Sequence, residues 1–311
     1  MILTVTLNPS VDISYKMDQF NLDTVNRVGD VLKTAGGKGI NVARVLKQLG
    51  EDATATGFLG GSLGDFIRGQ MVELAVHDHF VGIAGETRNC IAIIHGGNQT
   101  EILESGPEIT DNEEILFLDQ FTTSIEGVDY VTISGSQPKG LASDFYVKLL
   151  EIAQRNNKRV LLDTSGKLLE LALESDFKPF LIKPNLEELS GLLKTEIENE
   201  VQVIEILQHP IFEGISWIVG TLGAEGALVK HQDVVYRVQI PKVKAVNPVG
   251  SGDSVIAGFA AGFSRGLIGE ELLKFGLTMG VLNAMEEKTG SINPEKVEWC
   301  MEQMHVKKVT F

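Results

Sequence analysis

Asn247-Pro248-Val249-Gly250-Ser251-Gly252-Asp253 runs directly into Ser254 to Phe263, a stretch of small and apolar residues that reads as a helix. Gly250 and Gly252 free the backbone so that successive N–H groups can converge where this helix begins. That end carries the positive pole of the helix dipole, so the construction attracts an anion. An aspartate beside an anion hole is electrostatically out of place unless it has a task. A carboxylate next to a bound phosphate can accept the proton of an attacking hydroxyl. The plainer reading makes Asp253 a helix cap and the glycines a tight turn.

Working outward, strand candidates lie at Met1–Leu7, Ala53–Phe58, Tyr130–Ser134, Arg159–Leu162, Phe180–Lys183 and Trp217–Thr221. Most are continuous apolar or β-branched runs, the pattern of strands covered on both faces. Helical patterns fall between them. In Gly39–Leu49, Ile40, Val42, Val45, Leu46 and Leu49 recur at three- and four-residue spacing before the stop at Gly50. Phe145–Gln154, Leu186–Leu193 and Val201–Leu207 read likewise. Strand–helix–strand repetition predicts an α/β fold with a mostly parallel sheet, helices on both sides, and ligands at the carboxyl ends of the strands. Two segments depart from this rhythm. Residues 11–34 lack a helical stripe, and residues 87–104 alternate about a Gly96-Gly97-Asn98 turn, the signature of a hairpin. Together they read as a small second sheet, a lid on one domain spanning 1–311.

The chain's 311 residues carry 27 Lys+Arg against 42 Asp+Glu, a net charge of −15. That excess argues against nucleic acid or an anionic membrane as partner. The two cysteines, Cys90 and Cys300, form no CxxC pair, which suits a reducing compartment. The first residues have no basic n-region and no apolar run approaches ~20 residues, so the expected location is the cytoplasm.

Three further segments could carry chemistry. Ala35-Gly36-Gly37-Lys38-Gly39-Ile40-Asn41-Val42-Ala43-Arg44 resembles a P-loop only superficially, since Gly39 follows the lysine where a hydroxyl is required. Its backbone, ammonium and carboxamide suit a polyhydroxylated or phosphorylated ligand. Lys183-Pro184-Asn185-Leu186-Glu187-Glu188 reads as a capping box on Asn185 and Glu188; the same two side chains could hold waters of a phosphate-bound Mg²⁺. Thr221 to Gly226 is a glycine-punctuated turn after a strand, either a hairpin or a nucleotide contact. Asp163 is another strand-end carboxylate, either a cap or a ligand group. Gly60-Gly61-Ser62-Leu63-Gly64 matches a nucleophile elbow but has no recognisable histidine and acid to serve it. His77-Asp78-His79 lacks the further ligands of a zinc site. No Gly-x-Gly-x-x-Gly opens the chain, which disfavours a dinucleotide oxidoreductase.

In this order the segments resemble the ribokinase-like carbohydrate kinases of the PfkB family. The resemblance is carried by Gly36 to Ala43, by Asn247 to Asp253, and by the stretches at 183–188 and 221–226 between them. It implies a three-layer α/β sandwich with a small β-sheet lid, and ATP-dependent phosphorylation of a sugar hydroxyl. The opening Thr6-Leu7-Asn8-Pro9-Ser10-Val11-Asp12, with Thr87-Arg88-Asn89 and Ile133 to Ser136, looks like the branch that acts on fructose 6-phosphate, fructose 1-phosphate or tagatose 6-phosphate. The runs 85–90, 100–104 and 212–217 look most like the tagatose 6-phosphate kinases of lactose breakdown in Gram-positive bacteria, which form the 1,6-bisphosphate.

The resemblance also implies roles. Asp253 would be the catalytic base, and Gly250, Ser251 and Gly252 with the Asp253 amide would form the anion hole. Asp12, Gly36, Gly37 and Asn41 would hold sugar hydroxyls, while Lys38, Arg88 and Arg27 would take the substrate phosphate. Thr221, Gly223 and Gly226 would line ATP, with Lys183 and Asn185 near its phosphates and Asn283 near the base. Asn185 and Glu188 would support Mg²⁺ through water. A homodimer through the lid is implied too. Asn247-Pro248 stands where many relatives have Asp-Thr, so a backbone donor is missing there. A sugar-phosphate-binding regulator without turnover is the rival of another class, which intact Lys38, Asn185, Glu188 and Asp253 argue against.

Overall fold

The computed structural model describes residues 1–309. In chain order the elements begin with β1 (Ile2–Thr6), β2 (Ser10–Met17), β3 (Asp30–Gly36), α1 (Lys38–Gln48), β4 (Ala53–Leu59) and α2 (Gly61–Glu73). Then come β5 (His77–Asp78), β6 (Val81–Gly82), β7 (Arg88–His95), β8 (Asn98–Leu103), α3 (Asp111–Ser124), β9 (Tyr130–Ser134), α4 (Phe145–Arg155) and β10 (Arg159–Asp163). After α5 (Gly166–Glu174) follow β11 (Leu181–Ile182), α6 (Leu186–Leu193), α7 (Glu200–Leu207), β12 (Trp217–Thr221), β13 (Ala227–His231) and β14 (Val234–Gln239). Last are α8 (Ser251–Ser264), α9 (Gly269–Ala284), α10 (Val297–Glu302) and β15 (His305–Val309).

The main sheet runs β15-β14-β13-β12-β11-β10-β9-β1-β4-β5, with β6 also on β4. From β12 to β5 every pairing is parallel, whereas β13, β14 and β15 add an antiparallel edge. Alternate residues of each central strand serve opposite faces. Ile2 and Leu161 pack on α1, α8 and α9, while Leu3 and Leu162 pack on a layer that includes α3, α4 and α5. Both faces are therefore buried, and this is why these strands are built mostly of apolar or β-branched residues. The result is a three-layer sandwich.

The second sheet runs β3-β2-β7-β8, with β2 and β7 parallel and the outer pairs antiparallel. The segments at 11–34 and 87–104 do come together, as four strands, although residues 18–29 belong to none of them. A third apolar cluster, including Val11, Ile13, Ile40, Ala43, Ile67 and Met71, seats this sheet on α1 and α2. Among the described residues no helix is long and apolar enough to cross a membrane.

Candidate active site

At the carboxyl ends of the parallel strands lies a cavity of about 740 Å³, bounded by the starts of α1 and α8 on one side and the small sheet on the other. Its floor is the glycine loop. Gly250 has φ +82°, and a Cβ there would stand 2.7 Å from Cγ2 of Thr289, so only glycine fits. Asp253 sits in the first turn of α8 but does not cap it. Its carboxylate, 6 % exposed, accepts a 2.9 Å hydrogen bond at Oδ2 from Nδ2 of Asn41. Burial, then the nearby charge of Asp163, pushes this carboxyl up to about 7, against the opposing pull of Lys38 and Lys183. The amides of Gly252 and Asp253 lie in the first turn, where a helix offers no internal acceptor. The Ser251 N–H, expected in the same anion hole, donates to the carbonyl of Pro248 at 3.2 Å.

Beside the floor stands a charge cluster that the sequence did not disclose. Asp163, at the end of β10 and 1 % exposed, has Lys38 3.4 Å from Oδ2 and Lys183 3.2 Å from Oδ1. Burial pushes the Asp163 carboxyl up, but the two lysines outweigh it and hold it below the ordinary carboxylate range. Lys183 lies under the glycine loop, so that a Cβ on Gly252 would come within 2.9 Å of its Nζ. Asn185 and Glu188 form the capping box: Oδ1 of Asn185 accepts from the Glu188 amide, and Oε2 of Glu188 from the Asn185 amide, both at 2.8 Å. Both residues also line the cavity, so the two readings are compatible.

From the lid, Asp12 takes a 2.7 Å hydrogen bond from Ser10, and burial raises its carboxyl above the ordinary value. Gly36 lies against it so closely that a Cβ would fall 2.1 Å from the Asp12 carboxyl carbon. Arg88 lines the cavity and donates to the carbonyls of Asn8 and Glu104. Among the described residues no carboxylate pairs with it.

Other expected residues fall elsewhere. Arg27 is exposed on the stretch between β2 and β3 and does not line the cavity. Asn283 is fully buried beneath the loop, not at its surface, donating to Val249 O and Ser251 Oγ and accepting from the Ser291 amide. Thr221, Gly223 and Gly226 form the turn of the β12–β13 hairpin, outside the cavity wall. Thr221 is nonetheless bridged to Asn185, which places that turn beside the site. Ser62 bonds Glu86, and His77 and His79 diverge toward Asp52 and Ser124, so neither forms a hydrolase or zinc centre. Arg44, given no role by the sequence, is buried behind Asn41.

Residues 5–296 match the model of the pfkB family carbohydrate kinases. Three solved structures are similar throughout. One, from Staphylococcus aureus and provisionally described as a phosphofructokinase, is 32% identical with a TM-score of 0.85, covering 99% of both chains. Phosphofructokinase-2 from Escherichia coli, in complex with potassium, is 28% identical with a TM-score of 0.90 over 97% of this chain and 98% of that one. A Thermotoga maritima protein, provisionally described as a 1-phosphofructokinase, is 26% identical with a TM-score of 0.90 over 99% of both. The chain belongs to the PfkB family of carbohydrate kinases. It is an ATP-dependent phosphotransferase acting on a sugar hydroxyl.

Proposed function

We propose that this enzyme is a phosphosugar kinase that transfers the γ-phosphate of ATP to the C1 hydroxyl of tagatose 6-phosphate. The observation that carries a phosphorylated substrate is Arg88. Its guanidinium stands in the cavity wall held by carbonyl oxygens alone, so its charge is available to an anion. Asp253 is the base. A sugar hydroxyl is a far weaker acid than a carboxylic acid, so the proton passes to Asp253 as the new O–P bond forms and the bond to ADP breaks. The Gly252 and Asp253 amides and Lys183 lie where charge builds on the transferred group, and positioning with electrostatics supplies most of the rate. Closure of the lid over the sugar excludes water and limits hydrolysis of ATP.

Mg²⁺ would arrive with the nucleotide and neutralise charge on its phosphates. The donors fit an ion that keeps its waters: Asn185 and Glu188 line the cavity with one Glu188 oxygen committed to the cap, and no cluster of three metal-binding side chains occurs among the described residues. The lid exposes Val31, Leu32, Ile102 and Leu103, which supports a homodimer formed through it. Phosphofructokinase-2 from E. coli is known in a tetrameric inhibited form.

A second reading changes only the sugar. The similar structures are described as phosphofructokinases, and that of E. coli is also known with fructose 6-phosphate, which favours a fructose phosphate. Motifs do not separate epimers that differ in the direction of one hydroxyl. The test is ADP release with Mg-ATP and tagatose 6-phosphate, fructose 6-phosphate or fructose 1-phosphate, for the native enzyme and Arg88→Ala. A lead in kcat/KM for tagatose 6-phosphate and a raised sugar KM in the variant support the first reading. A lead for a fructose phosphate selects the second, and no turnover with any of the three rejects both phosphosugar readings.

A further inference from the structure

Arg44 is an expensive residue to bury. It is 2 % exposed, and among the described residues no carboxylate lies within ion-pair distance of it. Burial pushes its guanidinium down from the ordinary value, while Asp12 and Asp253, near but not touching, pull the other way. Removing a cation from water without a direct counter-ion is costly, so its remaining bonds indicate what it is kept for. Nη1 donates to Oδ1 of Asn41 and to the carbonyl of Thr289, both at 2.9 Å, and Nη2 donates to the carbonyl of Ala35 at 2.6 Å. One planar group thus joins α1 to the loop that packs on Gly250 and to the end of β3.

The chemistry of these donors fixes an orientation. A guanidinium has only donors, so the end of the Asn41 carboxamide facing it must be the oxygen. The amide nitrogen then necessarily faces Asp253, where it donates to Oδ2. Turned over, Asn41 would set N–H against N–H at Arg44 and would demand a proton on Oδ2. Gly290 presses on the other side of Asn41, since a Cβ there would lie 2.7 Å from the Asn41 Cβ. Oδ1 of Asp253 receives no hydrogen bond among the described residues, and Asp253 lines the cavity.

We propose that Arg44 is a positioning residue that holds the Asn41 carboxamide with its nitrogen on Asp253. Oδ2 is thereby kept as an acceptor, and Oδ1 is the oxygen that takes the sugar proton. In the reaction the hydroxyl O–H breaks toward Oδ1, the sugar oxygen bonds to the γ-phosphorus, and ADP leaves with the electron pair of the old P–O bond. The inference rests on Asp253 being the base, and Asp253→Asn tests that premise separately: near-native turnover there removes the premise itself.

The test is a double-mutant cycle in kcat with Arg44→Lys and Asn41→Ala. A lysine retains the charge but cannot make the forked contacts. Arg44→Lys should lower kcat about tenfold and leave the KM for ATP within about twofold of native. If Arg44 acts through Asn41, the double variant is no slower than Asn41→Ala alone; multiplied effects would overturn the proposal. Should Arg44→Lys not fold, Asn41→Asp keeps the arginine and the shape while replacing the donor with an acceptor. The charges around Asp253, namely Asp163, Lys38, Lys183 and Arg44, all remain. The acid limb of kcat/KM should then move up by about one pH unit or more, as two adjacent carboxyls resist ionising together. An unmoved limb rejects the Asn41 contact and with it the proposal.

Discussion

A base must be ionised to accept a proton, and Asp253 is held near 7 by its burial and by Asp163. The kcat/KM of the native enzyme should therefore fall on the acid side of about pH 7, well above the range of an ordinary aspartate. Asp253→Asn should lower kcat ~10²-fold or more while the sugar KM survives, since only proton acceptance is lost. The same residue has a signature in stability. Its folded value lies above its unfolded one, so its contribution is present below about pH 4 and disappears as pH rises to about 7. Relative to the native chain, Asp253→Asn should gain stability between pH 5 and pH 8, which denaturant unfolding at the two values would read. A constant difference would mean that the carboxyl is not raised. Asp163 has the opposite sign, because two lysines hold it low. Asp163→Asn leaves Lys183 buried without its counter-charge and should cost about 3 kcal/mol. It should also move the acid limb of kcat/KM to lower pH, as the charge that raises Asp253 is gone.

Helix α8 and its loop show how an element's sequence and its chemistry coincide. Gly250→Ala meets both an unfavourable φ and Thr289, so the start of the helix must shift. The expected result is a loss of kcat of roughly tenfold or more with little change in the sugar KM, because the amides and Asp253 move together. An equal loss in both parameters would instead point to a disturbed sugar site. The loop was readable because glycines beside a lysine or aspartate are locally conspicuous. Its partners were not: Asn41 lies 212 residues from Asp253, and Lys38 lies 125 from Asp163. Polar contacts closed over such separations leave no periodic trace. Central strands were legible because both faces are buried, although β11 is only Leu181–Ile182 and leaves Lys183 free to reach Asp163. The edge strands β13 to β15 were not recognised, being mixed in pattern with one side partly exposed. Nor was α9, whose apolar residues go round most of the helix and give no stripe.

For the molecule as a whole, the lid is both a wall of the site and an exposed apolar surface. If it forms the dimer, Ile102→Arg, outside the cavity wall, should convert the protein to monomers in sedimentation velocity and lower the sugar affinity, because the wall loses its support. Monomers with native kinetics would separate the interface from the site. A further consequence concerns how the chain reaches this state. β1 is bonded on one edge to β4 and on the other to β9, so residues 2–6 cannot be fully paired before Ser134 has been made. At a synthesis rate of about 5–20 residues per second, that buried strand has an open edge for several seconds. A strand buried along its whole length in the finished enzyme is therefore a vulnerable segment on the ribosome, and its folding is governed by non-local closure rather than by helix formation.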